Sequence, residues 1–90
     1  MFKNLKKLIL IIRDRKKNPI DSSYTNKLLN NESLSVEKVK EEISELIEAV
    51  EKNTNKIHEA ADVLYHLLVY LERNEIKIED VIQELGKRKK

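Results

Sequence analysis

Two clusters of side chains in this 90-residue sequence have types and spacing suited to chemistry: Glu41, Glu42 and Glu45, and then Glu59, Asp62 and His66. On a helix, Glu59, Asp62 and His66 fall at i, i+3 and i+7 and share one stripe. Glu41, Glu42 and Glu45 occupy roughly a third of a helical circumference, and Lys38 lies in the same arc. If the two helices pack antiparallel, the acidic faces meet. Carboxylates converging in this way repel one another unless a cation joins them. Hard divalent cations take oxygen ligands, and magnesium in particular is held by a few carboxylates together with substrate phosphates. The constellation therefore reads as a magnesium site that recruits a polyphosphate. Taken alone, Glu41, Glu42 and Glu45 also fit a solvated helix face. Asp62 stands in an apolar stretch, where an unpaired carboxylate is costly, and a structural ion pair is its alternative. His66 reads either as a hydrogen-bonded core residue or as a ligand or catalyst. His58 reads as an exposed neighbour, and Tyr24, Tyr65 and Tyr70 as packing residues.

The elements that must position these groups are helical. Phe2, Leu5, Leu8, Ile9 and Ile12 recur at three- and four-residue steps, which predicts an amphipathic helix over residues 2–17. The run Asn18 to Ser23 is turn-like. Tyr24 to Leu29 suits a short helical turn capped by Ser22 or Ser23. A second long helix is expected from an N-cap at Ser35 to about Asn53, with Val36, Val39, Ile43, Leu46, Ile47 and Val50 as its apolar stripe. A third is expected from about Asn55 to Arg73. A fourth begins near Ile78, is expected to bury Ile78, Val81, Ile82 and Leu85, and stops at Gly86. Between Ala60 and Leu71 only Asp62 and His66 interrupt a run of apolar residues and Tyr. A helix apolar on every side must be covered on every side. One short chain supplies too little cover, so a second subunit is expected.

Composition agrees. The chain has one Gly, one Pro and no Cys, with 38% charged and 4% aromatic residues, a balance that favours helices over strands. The absence of Cys excludes disulfides, zinc thiolates and thiol nucleophiles. The first apolar run, Leu8 to Ile12, is too short to span a bilayer and is followed by no signal-type cleavage site, so a soluble, cytoplasmic protein without a membrane partner is expected. There is no Gly-rich phosphate loop, and phosphate binding must fall to metal and basic side chains. The net charge of +2 hides a basic first segment, with seven basic and one acidic side chain in residues 1–17, and an acidic centre, with nine acidic and four basic in residues 32–62. Arg13, Arg15, Lys16 and Lys17 could serve phosphates or simply complement a helix carboxyl end. A non-catalytic helical module that touches nucleic acid through its basic tail would leave Asp62 unexplained, so no nucleic-acid partner is expected.

Glu42-x-x-Glu45, thirteen intervening residues, and Glu59-x-x-Asp62 resemble the metal-binding signature of the MazG-like all-α nucleotide pyrophosphohydrolases. The chain is more closely similar to the phosphoribosyl-ATP pyrophosphatases. The elements that carry this are Arg13-Asp14-Arg15-Lys16, Ser23-Tyr24-Thr25 with Lys27-Leu28-Leu29, Lys38-x-x-Glu41-Glu42-x-x-Glu45, and the segment from Glu59 to Val69. They occur in that family's order, from about residue 5 to residue 85. Lys40 departs from a frequent Gly, and Glu48 from a usual apolar residue.

The resemblance implies an all-α, MazG-like bundle of four main helices completed by dimerisation. It would be a single domain over residues 1–86, with a basic tail at 87–90 expected to fray. The implied reaction is hydrolysis of 1-(5-phosphoribosyl)-ATP between its α and β phosphates, the second step of L-histidine biosynthesis, with Mg2+ as cofactor. By the same resemblance Glu42, Glu45, Glu59 and Asp62 are metal ligands, and Glu41 is a ligand or the base for the attacking water. Arg13, Arg15, Ser23, Thr25, Lys27 and Lys38 are candidate substrate contacts. A house-cleaning nucleoside triphosphate pyrophosphohydrolase of the same superfamily is the alternative.

Overall fold

The computed structural model describes residues 1–88; Lys89 and Lys90, part of the expected basic tail, lie outside the described residues. Five helices follow one another: α1 (Lys3–Lys17), α2 (Tyr24–Asn30), α3 (Glu32–Lys52), α4 (Lys56–Arg73) and α5 (Ile78–Gly86). No strand occurs among the described residues, so the fold is all-α as expected.

The α3–α4 hairpin forms the backbone of the structure, and its two helices make the most extensive packing in the chain. Its turn is built by asparagines. Asn53 and Asn55 adopt left-handed backbone angles, φ 56° and φ 45°, a conformation that Asn tolerates better than most residues with a Cβ. The Thr54 N–H reaches back to the Ala49 carbonyl at 3.0 Å, closing the end of α3 as a Schellman-type stop. This short reversal makes α4 run antiparallel to α3.

α3 begins one turn earlier than the sequence pattern suggested. Asn31, not Ser35, is the N-cap: its Oδ1 accepts from the Leu34 N–H at 3.0 Å. Asn is as good a cap as Ser, and Glu32 then sits in the first turn, where the helix dipole favours an acid. Ser35 is consequently buried inside the helix, and its Oγ has no partner. At α2 the expectation holds, because Ser23 Oγ accepts from the Asn26 N–H at 3.3 Å.

Ile12 of α1, Leu28 of α2 and Leu68 and Val69 of α4 form the core, with Leu5, Leu8, Ile9, Leu34, Tyr65 and Ile78 packed around them. The loop between α1 and α2 is pinned from within by Asn26, which is buried. Its Nδ2 donates to the Arg15 carbonyl at 2.8 Å and its Oδ1 accepts from the Ile20 N–H at 2.9 Å.

Two apolar stripes remain uncovered. Ile43, Ile47 and Val50 on α3 and Ile57, Leu64 and Leu67 on α4 are exposed in the single chain. The first three belong to the apolar stripe expected on this helix, and α1 and α2 cover other faces of the hairpin. α5 differs from expectation. Ile78 packs on the core, but Ile82 and Leu85 are exposed, Ile82 along an open groove that it shares with Leu5 and Ile9 of α1.

Candidate active site

The carboxylates do converge. Carboxylate oxygens of Glu41, Glu42 and Glu45 lie within 4.8 Å of one another on α3, and Glu59 and Asp62 group with His58 on α4 at the same spacing. The antiparallel hairpin sets these two triads face to face. Burial pushes the Glu42 carboxyl above its ordinary pKa, and the Glu45 and Asp62 carboxylates add to this while His66 opposes it. Burial likewise raises Glu59, with Glu45 and Asp62 contributing and His58 opposing. Each helix thus feels the negative charge of the other.

The buried acid is Glu42, not Asp62. Glu42 is 7% exposed, whereas the Asp62 side chain is 36% exposed and Asp62 Oδ2 lies 3.3 Å from His58 Nε2. The run of apolar residues around Asp62 suggested the reverse. Asp62 lies in the first half of α4, on the side of the Asn53–Asn55 turn, and keeps its side chain partly open to solvent. The His58 contact follows from simple i, i+4 spacing, a signal present in the sequence but read there only as an exposed neighbour.

Two carboxylate oxygens, Glu42 Oε2 and Glu59 Oε2, are buried without any hydrogen-bond donor. Such an oxygen is costly unless something positive meets it. A hard cation held by oxygen ligands fits this donor set, and the residues that could hold it are Glu42, Glu45, Glu59 and Asp62, with Glu41 at the margin. Beside the acids, a polar cavity is lined by Glu45, Glu48, Ala49, Lys52, Thr54, Asn55 and Glu59. Glu48 belongs to its wall and pairs with Lys52 at 2.6 Å, which lowers its pKa; its charge is thus countered on its own helix.

The expected substrate contacts separate into groups. Lys38 stands at the acidic face, its Nζ 3.3 Å from Glu41 Oε2. Ser23 is engaged as the α2 cap. Thr25 Oγ1 meets the Tyr65 hydroxyl at 2.6 Å, and Lys27 is exposed on α2. Arg15 contacts Asp14 at 3.3 Å. Arg13 is drawn elsewhere. Its guanidinium donates to Glu79 at 2.6 and 2.9 Å and to Glu72 at 3.3 Å. Glu72 lies ten residues beyond Asp62 on α4, about 15 Å along the axis, so this cation is not among the carboxylates.

Tyr24 and His66 were read as packing or ambiguous residues, and the structure joins them. The Tyr24 hydroxyl lies 2.9 Å from His66 Nε2, and His66 Nδ1 lies 2.8 Å from the Asp62 carbonyl. Forty-two residues separate the pair, a distance that no helical periodicity reports.

A chain of this architecture, with paired acids across one helical hairpin, matches a known family profile, that of phosphoribosyl-ATP pyrophosphohydrolase, over residues 5–89. This chain belongs to the phosphoribosyl-ATP pyrophosphohydrolase family. The match includes every one of the carboxylates described above. Among curated relatives, the phosphoribosyl-ATP pyrophosphatase of Clostridium acetobutylicum is 48% identical over 88 residues, covering 93% of this chain and 79% of the relative. That of Clostridium novyi is 43% identical over 90 residues, covering 96% and 81%. The chain is also 44% identical over 87 residues to the histidine biosynthesis bifunctional protein HisIE of Pyrococcus furiosus, covering 96% of this chain and 41% of that longer one.

Proposed function

We propose that this chain hydrolyses 1-(5-phosphoribosyl)-ATP to 1-(5-phosphoribosyl)-AMP and pyrophosphate, the second step of L-histidine biosynthesis. The observation that carries the reading is the pairing of α3 with α4 carboxylates, Glu42 with Asp62 and Glu45 with Glu59, in a chain of this family. In this reading Glu42, Glu45, Glu59 and Asp62 hold Mg2+. The ion would polarise phosphoryl oxygens and neutralise charge on the departing pyrophosphate.

The side chains around that site have distinct tasks. The orphaned oxygens of Glu42 and Glu59 are ready acceptors for positive charge. Glu41, more exposed than its neighbours on α3 and paired with Lys38, is a ligand or the base that takes a proton from the attacking water. Lys38 presents its ammonium group at the mouth of the acidic face, where triphosphate oxygens must pass. Arg15, Lys27 and the Ser23–Thr25 segment are proposed to receive the ribose 5-phosphate end, which distinguishes this substrate from ATP. Arg13 is proposed to hold α1 to α4 and α5 instead.

The exposed stripes of α3 and α4 support a homodimer. Stripes of this length on one face are characteristic of surfaces buried against a partner. No helix among the described residues is long and apolar enough to cross a membrane, and the substrate is one expected in the cytoplasm.

The decisive assay offers phosphoribosyl-ATP, ATP, dUTP and dCTP in parallel with magnesium. Pyrophosphate release is expected chiefly from the first, by at least about a hundredfold, because lost charge-assisted contacts typically cost a few kcal/mol. Equal or faster hydrolysis of a deoxynucleotide would assign the chain to nucleotide house-cleaning.

A further inference from the structure

The Tyr24–His66 contact connects two parts of the molecule that the acidic cluster alone does not explain. The Asp62 carbonyl has only lone pairs to offer, so His66 Nδ1 must carry the proton in their 2.8 Å contact. In the neutral imidazole this leaves Nε2 as an acceptor, and the Tyr24 hydroxyl donates to it across 2.9 Å. One turn of α4 therefore binds the carbonyl of a carboxylate residue on one side and the first residue of α2 on the other. The residue after Tyr24 and the residue before His66 repeat the connection, through Thr25 Oγ1 and the Tyr65 hydroxyl at 2.6 Å. The rings reinforce it: Tyr24 and Tyr65 stack at 6.3 Å and 21°, and His66 meets both edge-on.

His66 is buried, yet Tyr24 is 42% exposed, the only one of the three tyrosines to show more than a third of its surface. The position of Tyr24 beside the acidic face is marked by its electrostatic coupling to Lys38, Glu42 and Glu41. A flat ring locked at its hydroxyl, with a cation beside it, offers a stacking surface for a base and a charge for a phosphate. We propose that Tyr24 forms one wall of the substrate site and that His66 is a positioning residue, holding Tyr24 and the α2 entry against the turn of α4 that begins at Asp62.

This inference rests on the reading of the chain as a phosphoribosyl-ATP hydrolase, and the experiment separates the two. Wild type, Tyr24→Phe, His66→Asn, His66→Gln and the Tyr24→Phe/His66→Asn double variant are assayed on phosphoribosyl-ATP, with KM, kcat and the magnesium half-saturation measured for each. Tyr24→Phe removes only the hydroxyl. His66→Asn keeps a polar group near the Asp62 carbonyl but none at the Nε2 position, whereas the longer Gln can place its amide oxygen there. Tyr24→Phe and His66→Asn are each expected to raise KM about five- to tenfold, the usual net effect of one hydrogen bond, with kcat changed less than about twofold. The double variant should be no worse than the more affected single one, since both break the same contact. His66→Gln should recover most of the loss, and the magnesium half-saturation should stay constant throughout.

Unchanged KM in Tyr24→Phe, additive losses in the double variant, or a shift in magnesium half-saturation would overturn the proposal. A fall in kcat with KM intact would do so as well, by moving His66 into the chemistry. Tyr24→Phe keeps the ring packing and so remains informative if His66→Asn folds poorly. A wild-type chain inactive on phosphoribosyl-ATP would remove the substrate reading and this inference with it. An active wild type with indifferent variants would remove the inference alone.

Discussion

Arg13 holds Glu79 through two hydrogen bonds, of 2.6 and 2.9 Å, which fasten α1 to α5 across most of the length of the chain. The same guanidinium also reaches Glu72 on α4. Three helices thus meet on one side chain. This pairing holds the Glu79 carboxyl down at about 2, well below the ordinary carboxylate range.

A depressed carboxylate stabilises the folded state above its unfolded pKa, near 4.5, and loses that contribution as pH falls through its folded value. The melting temperature should therefore fall as pH drops from about 4.5 towards 2, and this part of the decline should be absent in Glu79→Gln. Arg13→Gln should lower stability at neutral pH only modestly, because Glu79 is largely exposed. Since Arg13 is placed away from the acids, its loss should leave KM for phosphoribosyl-ATP nearly unaltered. A KM increase of tenfold at unchanged stability would return Arg13 to the phosphate site.

Glu42 carries the sharpest trade between stability and function. Its buried oxygen meets no donor, and neighbouring carboxylates oppose its charge. Glu42→Gln should raise the stability of the metal-free protein by about 1 kcal/mol, because a repelled buried charge is removed. Magnesium at a hundred times its Kd should stabilise the wild type by about 2.7 kcal/mol, and this gain should disappear in the variant together with turnover. Thermal melts with and without magnesium test both halves. A variant as responsive to magnesium as the wild type would exclude Glu42 as a ligand.

Asp62→Asn keeps shape but removes charge on the opposite helix. It should abolish magnesium-dependent turnover and leave helical content unchanged by circular dichroism. Because Asp62 is partly exposed, its effect on metal-free stability should be smaller than that of Glu42→Gln. Full activity in this variant would break the proposed ligand set.

The exposed stripes predict association. The melting temperature of the wild type should rise with protein concentration, as it does when folding and assembly are linked. Placing a charge at Ile47 or Leu64, as in Ile47→Glu or Leu64→Glu, should yield a monomer in sedimentation. A wild-type monomer at every concentration would remove the dimer from the proposal.

Glu75 offers a test of the backbone. It ends α4 with φ 61°, and the Ile76 N–H returns to the Leu71 carbonyl at 2.9 Å. A left-handed conformation costs residues with a Cβ about 1 kcal/mol or more and costs Gly almost nothing. Glu75→Gly should therefore stabilise the fold by up to about 1 kcal/mol in chemical denaturation, with some of the gain offset by loss of the long Lys16 contact at 3.8 Å.

Local patterns determined a large part of this protein. Helix periodicity located α1, α4 and α5 closely, and Ser23 announced the start of α2, because caps and apolar repeats act within a few residues of the chain. The spacing of Glu41, Glu42 and Glu45, and of Glu59 and Asp62, put each set on one face of its own helix for the same reason. The order of these motifs identified the family without any coordinates.

Relations between faces were decided only by tertiary structure. Periodicity says which side of a helix is apolar but not which neighbour covers it, so Ile43, Ile47 and Val50 form a clear apolar stripe that nothing within the chain covers. The apolar run around Asp62 pointed to it rather than Glu42 as the buried acid, because burial depends on how α3 and α4 face each other. Asn31 and Ser35 were both competent caps, and the choice fell to the longer helix that Asn31 permits. The destination of Arg13 and the meeting of Tyr24 with His66 depend on how α1, α2 and α5 settle on α4. Such contacts join residues tens of positions apart, where the sequence carries no period to reveal them.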